Sequence, residues 1–201
     1  MAEKNLHRQA QRGVRVMLGR QVFLQGLTLV FGVLLARILD PADFGLFGIT
    51  TFVVGMLKLL GDCGIAPSLI QRSTEVTEGD LKTAFTLQQI LVTGAFAALW
   101  FLAPLAPSVY PRGGEPLMWL IRVLGINLYL QSWRSIGVVV LERGMRYRAV
   151  AVVEIVESVS YQLIAVVLAY LGFGVWSLVA AVLVRSFLGA GMVVNLARFK
   201  P

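Results

Sequence analysis

The sequence predicts an all-α fold, a polytopic transmembrane helix bundle with six spanning helices. Of 201 residues, 57% are hydrophobic and only 14% are charged, against roughly 25% charged in an ordinary soluble domain. Mean hydropathy is +0.77. The apolar residues also come in continuous runs of roughly 20, the length of a helix crossing a bilayer core. A transmembrane barrel would instead alternate over segments of about ten.

Residues 1–15 are polar and basic, with Lys4, Arg8, Arg12 and Arg15. They do not read as a signal peptide, because the apolar run that follows is long, holds Arg20, Gln21 and Gln25, and lacks a small-residue cleavage site. The first helix is expected over about 16–36. Asp40-Pro41 then announces the second, about 44–66, since Asp can accept from the free N–H groups of a helix start and Pro is tolerated at its first position. A polar loop, 71–80, leads to the third helix, about 81–102. Residues 103–116 hold four prolines and two adjacent glycines, which is loop chemistry. The fourth helix is expected over about 117–141, followed by a basic turn at 142–148. The fifth covers about 149–171, Gly172-Phe173-Gly174 turns the chain, and the sixth covers about 175–197. The given sequence stops at Arg198-Phe199-Lys200-Pro201.

Six helices alternate sides, so basic residues fix the orientation. With the N-terminus inside, eleven basic residues fall on inner segments and two, Arg37 and Arg112, on outer ones. Both termini are therefore expected in the cytoplasm. The formal charge of +7 reflects this distribution rather than a nucleic-acid surface.

Five basic residues fall inside the spans: Arg20, Lys58, Arg122, Arg134 and Arg185. An Arg or Lys at a helix centre costs roughly 2.5–3.5 kcal/mol on insertion scales. Arg185 lies near the middle of the sixth helix with no easy route to an interface, which makes it the foremost functional candidate. Arg20 and Arg122 are about five residues from a helix end, where snorkelling accounts for them. Lys58 and Arg134 are intermediate. Lys58 and Asp62 are four apart and share a helix face. Glu154, Glu157, Lys58, Asp62, Arg20 and Arg134 all fall in the inner half, as an ion-pair network that would seal or open that end.

Polar residues also recur on single helical faces. These are Gln21, Gln25 and Thr28; Thr86, Gln89 and Thr93; Asn127, Gln131 and Arg134; and Glu154, Glu157, Ser158 and Tyr161. For any one helix, interhelical hydrogen bonding explains such a stripe as well as a cavity does. Four stripes together favour a shared hydrated cavity.

Several chemistries are disfavoured. The only histidine, His7, is in the tail, so an intramembrane Ser–His site has no base. The single cysteine, Cys63, excludes an intrachain disulfide and reads as a small packed residue. No His, Cys or carboxylate cluster has metal-ligand spacing, and no phosphate loop is present. Neither a metal nor a cofactor is expected, and an enzyme is the weakest reading, with only Glu154 and Glu157 as paired acids.

The stretch Ala36-Arg37-Ile38-Leu39-Asp40-Pro41-Ala42-Asp43-Phe44-Gly45-Leu46-Phe47 resembles the bacterial polysaccharide exporters and O-antigen flippases of the multidrug/oligosaccharidyl-lipid/polysaccharide exporter superfamily. So do Asp62-Cys63-Gly64-Ile65-Ala66, Leu69-Ile70-Gln71-Arg72, the basic turn Leu141-Glu142-Arg143-Gly144-Met145-Arg146-Tyr147-Arg148, and Gly172-Phe173-Gly174-Val175-Trp176-Ser177-Leu178-Val179. The likeness covers nearly the whole chain, with motifs of moderate specificity. It implies a bacterial inner-membrane flippase that moves a polyprenyl-pyrophosphate-linked oligosaccharide by alternating access through a cationic cavity between two six-helix lobes. Arg185, Arg134, Arg122, Lys58 and Arg20 would suit that cavity, since Arg and Lys both bind phosphate. Glu154, Glu157 and Asp62 would gate it or couple it to an ion. Such proteins have about twice the helices expected here. The resemblance therefore implies the N-terminal lobe, with residues 198–201 as the start of a cytoplasmic linker, completed by a second lobe of a longer protein or by a parallel homodimer. The alternative is a non-transporting scaffold subunit of an envelope-glycan complex, whose intramembrane charges only pair helices.

Overall fold

The computed structural model describes residues 2–62, 78–110, 114–143 and 146–197, all of them helix, turn or short connection. Seven longer helices are seen among the described residues: α1 Ala2–Ile38, α2 Pro41–Asp62, α3 Glu78–Leu102, α4 Gly114–Gly125, α5 Asn127–Arg143, α6 Tyr147–Tyr170 and α7 Val175–Ala197. Five of them, all but α4 and α5, are long and apolar enough to cross a membrane. The chain is an all-α polytopic bundle, as expected.

Two of the expected helices change. The first helix does not start at residue 16 but continues back through the basic segment to Ala2. The fourth helix is not one span but two helices, α4 of 12 residues and α5 of 17, with the break at Ile126. Around the break the Ile126 N–H bonds the Val123 carbonyl at 3.2 Å and the Tyr129 N–H bonds the Ile126 carbonyl at 3.1 Å. These three-residue turns replace the four-residue helical ladder. Gly125 and Asn127, both poor helix formers, flank the site where the ladder gives way.

Other boundaries follow their local chemistry. The carbonyl of Asp40 receives the first bonds of α2, from Asp43 and Phe44. Residues 103–110, expected as loop, wind into a 3-10 turn, Ala103–Leu105, and a single α-turn, Ala106–Val109. Each carries proline in its first positions, where a missing N–H costs nothing. At the end of α6, Phe173 N–H bonds the Leu168 carbonyl and Gly172 N–H bonds that of Ala169. That is a Schellman ending, and its left-handed residue is Gly172, with φ 83°. Arg146, in the α5–α6 turn, donates from Nη1 to the Leu196 carbonyl at 2.8 Å, so it satisfies a free acceptor at the end of α7.

Three apolar clusters hold the bundle. One joins α2, α3 and α4 and includes Val54, Leu99, Leu120 and Leu124. A second joins the end of α1 to α6 through Leu35, Leu39 and Ala165. The third joins α5 and α6 through Leu141, Val150 and Val153. α7 reaches all three, with Val179 in the first, Leu178 and Ala181 in the second and Val193 in the third. It is the central helix. In lipid such contacts stabilise by close van der Waals packing, because the hydrocarbon tails are as apolar as the side chains.

Candidate functional site

A charged and polar belt crosses α2, α5, α6 and α7. Its centre is an ion pair between Arg134 on α5 and Glu157 on α6. Arg134 Nε donates to Glu157 Oε1 at 2.6 Å and Nη2 donates to Oε2 at 3.0 Å. Two parallel bonds match the planar guanidinium to the carboxylate. Glu157 is only 2% exposed. The carboxylate reaches this depth because α7 presents Gly189 to it, and a Cβ there would collide with Glu157 Oε1. The glycine on α7 thus makes the space that the acid on α6 occupies.

Around this neutral pair the remaining groups are arranged differently. Gln131, one turn before Arg134 on α5, donates from Nε2 to Ser186 Oγ on α7 at 3.3 Å. The Oε1 of Gln131 lies 3.5 Å from Lys58 Nζ on α2. Arg185, next to Ser186, is exposed and holds its guanidinium 5.9 Å from the centre of the Tyr161 ring on α6. Tyr161 is one turn from Glu157, just as Arg185 is one turn from Gly189. Among the described residues no carboxylate pairs with Arg185 or Lys58. Among the described residues the belt therefore offers one cation paired with an acid, Arg134, and two, Lys58 and Arg185, that are not. A second polar link ties α3 to α5: Gln89 Nε2 donates to Ser132 Oγ at 2.8 Å. The Tyr129 hydroxyl reaches Thr93 Oγ1 at 3.3 Å.

The structure brings together Lys58, Arg134, Arg185 and Glu157, with Glu154 half-buried one turn before Glu157. It gives Arg122 different partners. That guanidinium lies 4.6 Å from the centre of the Trp100 ring and 5.4 Å from that of Trp119. The side chains of Arg20 and Asp62 lie outside the described residues, and with them the expected pairing of Lys58 with Asp62. The stripe Gln21, Gln25 and Thr28 on α1 is exposed. Ser132, Ser186 and Gly189 are not among the candidates that the sequence singles out. The signal was present, since each serine adjoins a flagged residue and Gly189 lies one turn from Arg185.

Helices of membrane-spanning length, with ionisable groups held between them, define a multi-pass helical membrane protein. More particularly, the chain belongs to the polysaccharide biosynthesis protein family, whose match covers residues 34–201. It is 30% identical over 176 residues to the succinoglycan biosynthesis transport protein ExoT of Rhizobium meliloti (strain 1021), covering 88% of this chain and 35% of that one. It is 32% identical over 128 residues to the lipopolysaccharide biosynthesis protein WzxC of Escherichia coli (strain K12), covering 64% of this chain and 23% of that one. The chain thus spans about a third or less of the length of these two relatives. No solved structure gives a significant match.

Proposed function

We propose that this chain forms one lobe of an inner-membrane transporter for cell-surface polysaccharide, moving a polyprenyl-pyrophosphate-linked oligosaccharide outward by alternating access. Both termini would lie in the cytoplasm, as the distribution of basic residues suggests. A second lobe of the same protein, or a second copy in parallel orientation, would close the cavity. The two relatives, one named as a transport protein, support the transport reading.

The observation that carries the proposal is Arg185, a cation exposed in the middle of a spanning helix, with no acid beside it among the described residues. A permanently charged guanidinium in that position calls for an anionic partner or water. Pyrophosphate supplies the charge and several acceptors for the guanidinium fork. Lys58, held towards Gln131, is the second contact. The Arg134–Glu157 pair then acts as the gate or ion-coupling element, since protonating the acid would free Arg134.

The scaffold reading draws on the same belt, because Arg134 with Glu157 and Gln131 with Ser186 satisfy one another. Replacing Arg185 by Ala in the full-length protein separates the two. Export of surface polysaccharide, measured at matched membrane levels of protein, is expected to fall at least about ten-fold, with partial recovery in Arg185→Lys. Unchanged export would remove the transport role of this residue and leave the scaffold.

A further inference from the structure

Arg122 stands apart from the belt and poses its own question. Its neighbours, Trp100 near the end of α3 and Trp119 in α4, are 41% and 47% exposed. Phe101 and Leu102 beside them are exposed as well. These exposed aromatic and apolar side chains sit at the end of a helix of membrane-spanning length, where tryptophan is enriched at the membrane–water boundary.

The position of the guanidinium follows from the sequence. Residue 104 is proline, so the Trp100 carbonyl, four residues earlier, has no helical N–H to receive. Arg122 Nη2 points at that carbonyl in a long contact of 3.5 Å, and the two indole faces hold the cation by their quadrupoles. Among the described residues the rest of its donor capacity is unmet: Nε is buried without a hydrogen-bond partner, and no carboxylate pairs with it. Arginine has five N–H donors and never loses its charge. Below the cation, Phe96, Ala97, Trp100 and Phe101 line a shallow apolar crease that runs along α3 away from its end.

An anionic head beside a boundary arginine, with an apolar track leading inward, matches an amphiphile whose tail follows the helix. We infer that Arg122, Trp100 and Trp119 form a peripheral site for the phosphate of a glycerophospholipid, in the leaflet reached by the Leu102 end of α3. One acyl chain lies in the crease. The phosphate oxygens take the terminal Nη donors, and the indoles fix the guanidinium plane. This requires only that the helices span a membrane, so it stands or falls independently of the transport reading. A glycerophospholipid is the occupant because the cation adjoins an exposed apolar crease at the end of α3, with two tryptophans beside it, and not the belt of Arg134 and Arg185.

The test uses the full-length protein, purified, stripped of lipid in detergent and titrated with phosphatidylglycerol while adducts are counted by native mass spectrometry. Arg122→Ala is expected to weaken the tightest adduct at least about five-fold, and Arg122→Lys to restore part of it. Trp119→Leu keeps the charge and is expected to weaken the adduct about two- to three-fold. It also keeps the test open if Arg122→Ala fails to fold. Arg37→Ala, an exposed arginine on α1, controls for bulk charge and should change nothing. Equal phosphatidylglycerol binding by the wild type and the Arg122 or Trp119 variants overturns the site. Arg122-dependent binding of polyprenyl pyrophosphate without phosphatidylglycerol binding also overturns it, in favour of a port for the carrier lipid.

Discussion

In an 18-residue window of the span at Val175–Leu196, 44% of residues are buried inside the protein, whereas in that of Gln21–Ile38 6% are, although the mean hydropathies, 2.0 and 1.7, are close. Hydropathy reports that both can sit in lipid; it does not report which one packs. The difference lies in side-chain size and position. α7 places Ser177, Ala181, Ser186 and Gly189 on packed faces, where small residues let neighbouring helices approach. In α1 only Leu35 is buried among the described side chains, with Leu39 just past its end, and Val22, Leu29, Val30 and Val33 are exposed. A glycine there has no such use: a Cβ at Gly26 would meet nothing within 4 Å.

The contrast breaks first at its tightest point. Gly189→Leu would drive a side chain into the Glu157 carboxylate and is expected to abolish folded, monodisperse protein in fluorescence-detected size exclusion. Gly26→Leu should leave the elution profile unchanged. Next in size is the ion pair. Arg134→Ala strands a buried acid and is expected to cost about 3–5 kcal/mol, while Arg134→Met combined with Glu157→Leu costs less than the single change. Thermal unfolding in detergent measures both, and a double variant as unstable as Arg134→Ala would contradict the pairing. Smaller again, Leu178→Ala on α7 should cost about 2 kcal/mol or more through the cavity it leaves. Val30→Ala on the open face of α1 should stay within about 0.5 kcal/mol. Equal losses at these two positions would erase the distinction between the helices.

Much of the fold was legible because membrane helices announce themselves by length and punctuation. Asp40-Pro41 set the start of α2, and Gly172-Phe173-Gly174 set the turn before α7. The break at Ile126 was not legible, because Leu, Val and Tyr on either side keep the stretch apolar and only Gly125 and Asn127 hint at it. In the site, Arg134 and Glu157 were recognisable as costly residues on inward faces. Their partnership was not, since it depends on the crossing of α5 with α6 and on room made by a third helix. Arg122 shows the reverse: its position near a helix end suggested snorkelling, but the carbonyl and indoles that receive it come from residues about 20 positions away and from its own helix. A single sequence carries helical faces well and the pairing of faces poorly.

The break at Ile126 bears on how the chain enters the membrane. At about 1.5 Å per residue, α4 is about 18 Å long and α5 about 26 Å, both short of a hydrocarbon core of roughly 30 Å. Neither piece is a self-sufficient insertion signal, and α5 bears Arg134. Synthesis delivers Arg134 before Glu157, so until α6 emerges the arginine meets the bilayer without its counter-charge. Stable integration of α4 and α5 is therefore expected to wait on α6. Ribosome-released truncations with a glycosylation reporter would read this directly. Those ending after α5 should integrate poorly and those ending after α6 well, with the gain lost in Glu157→Ala.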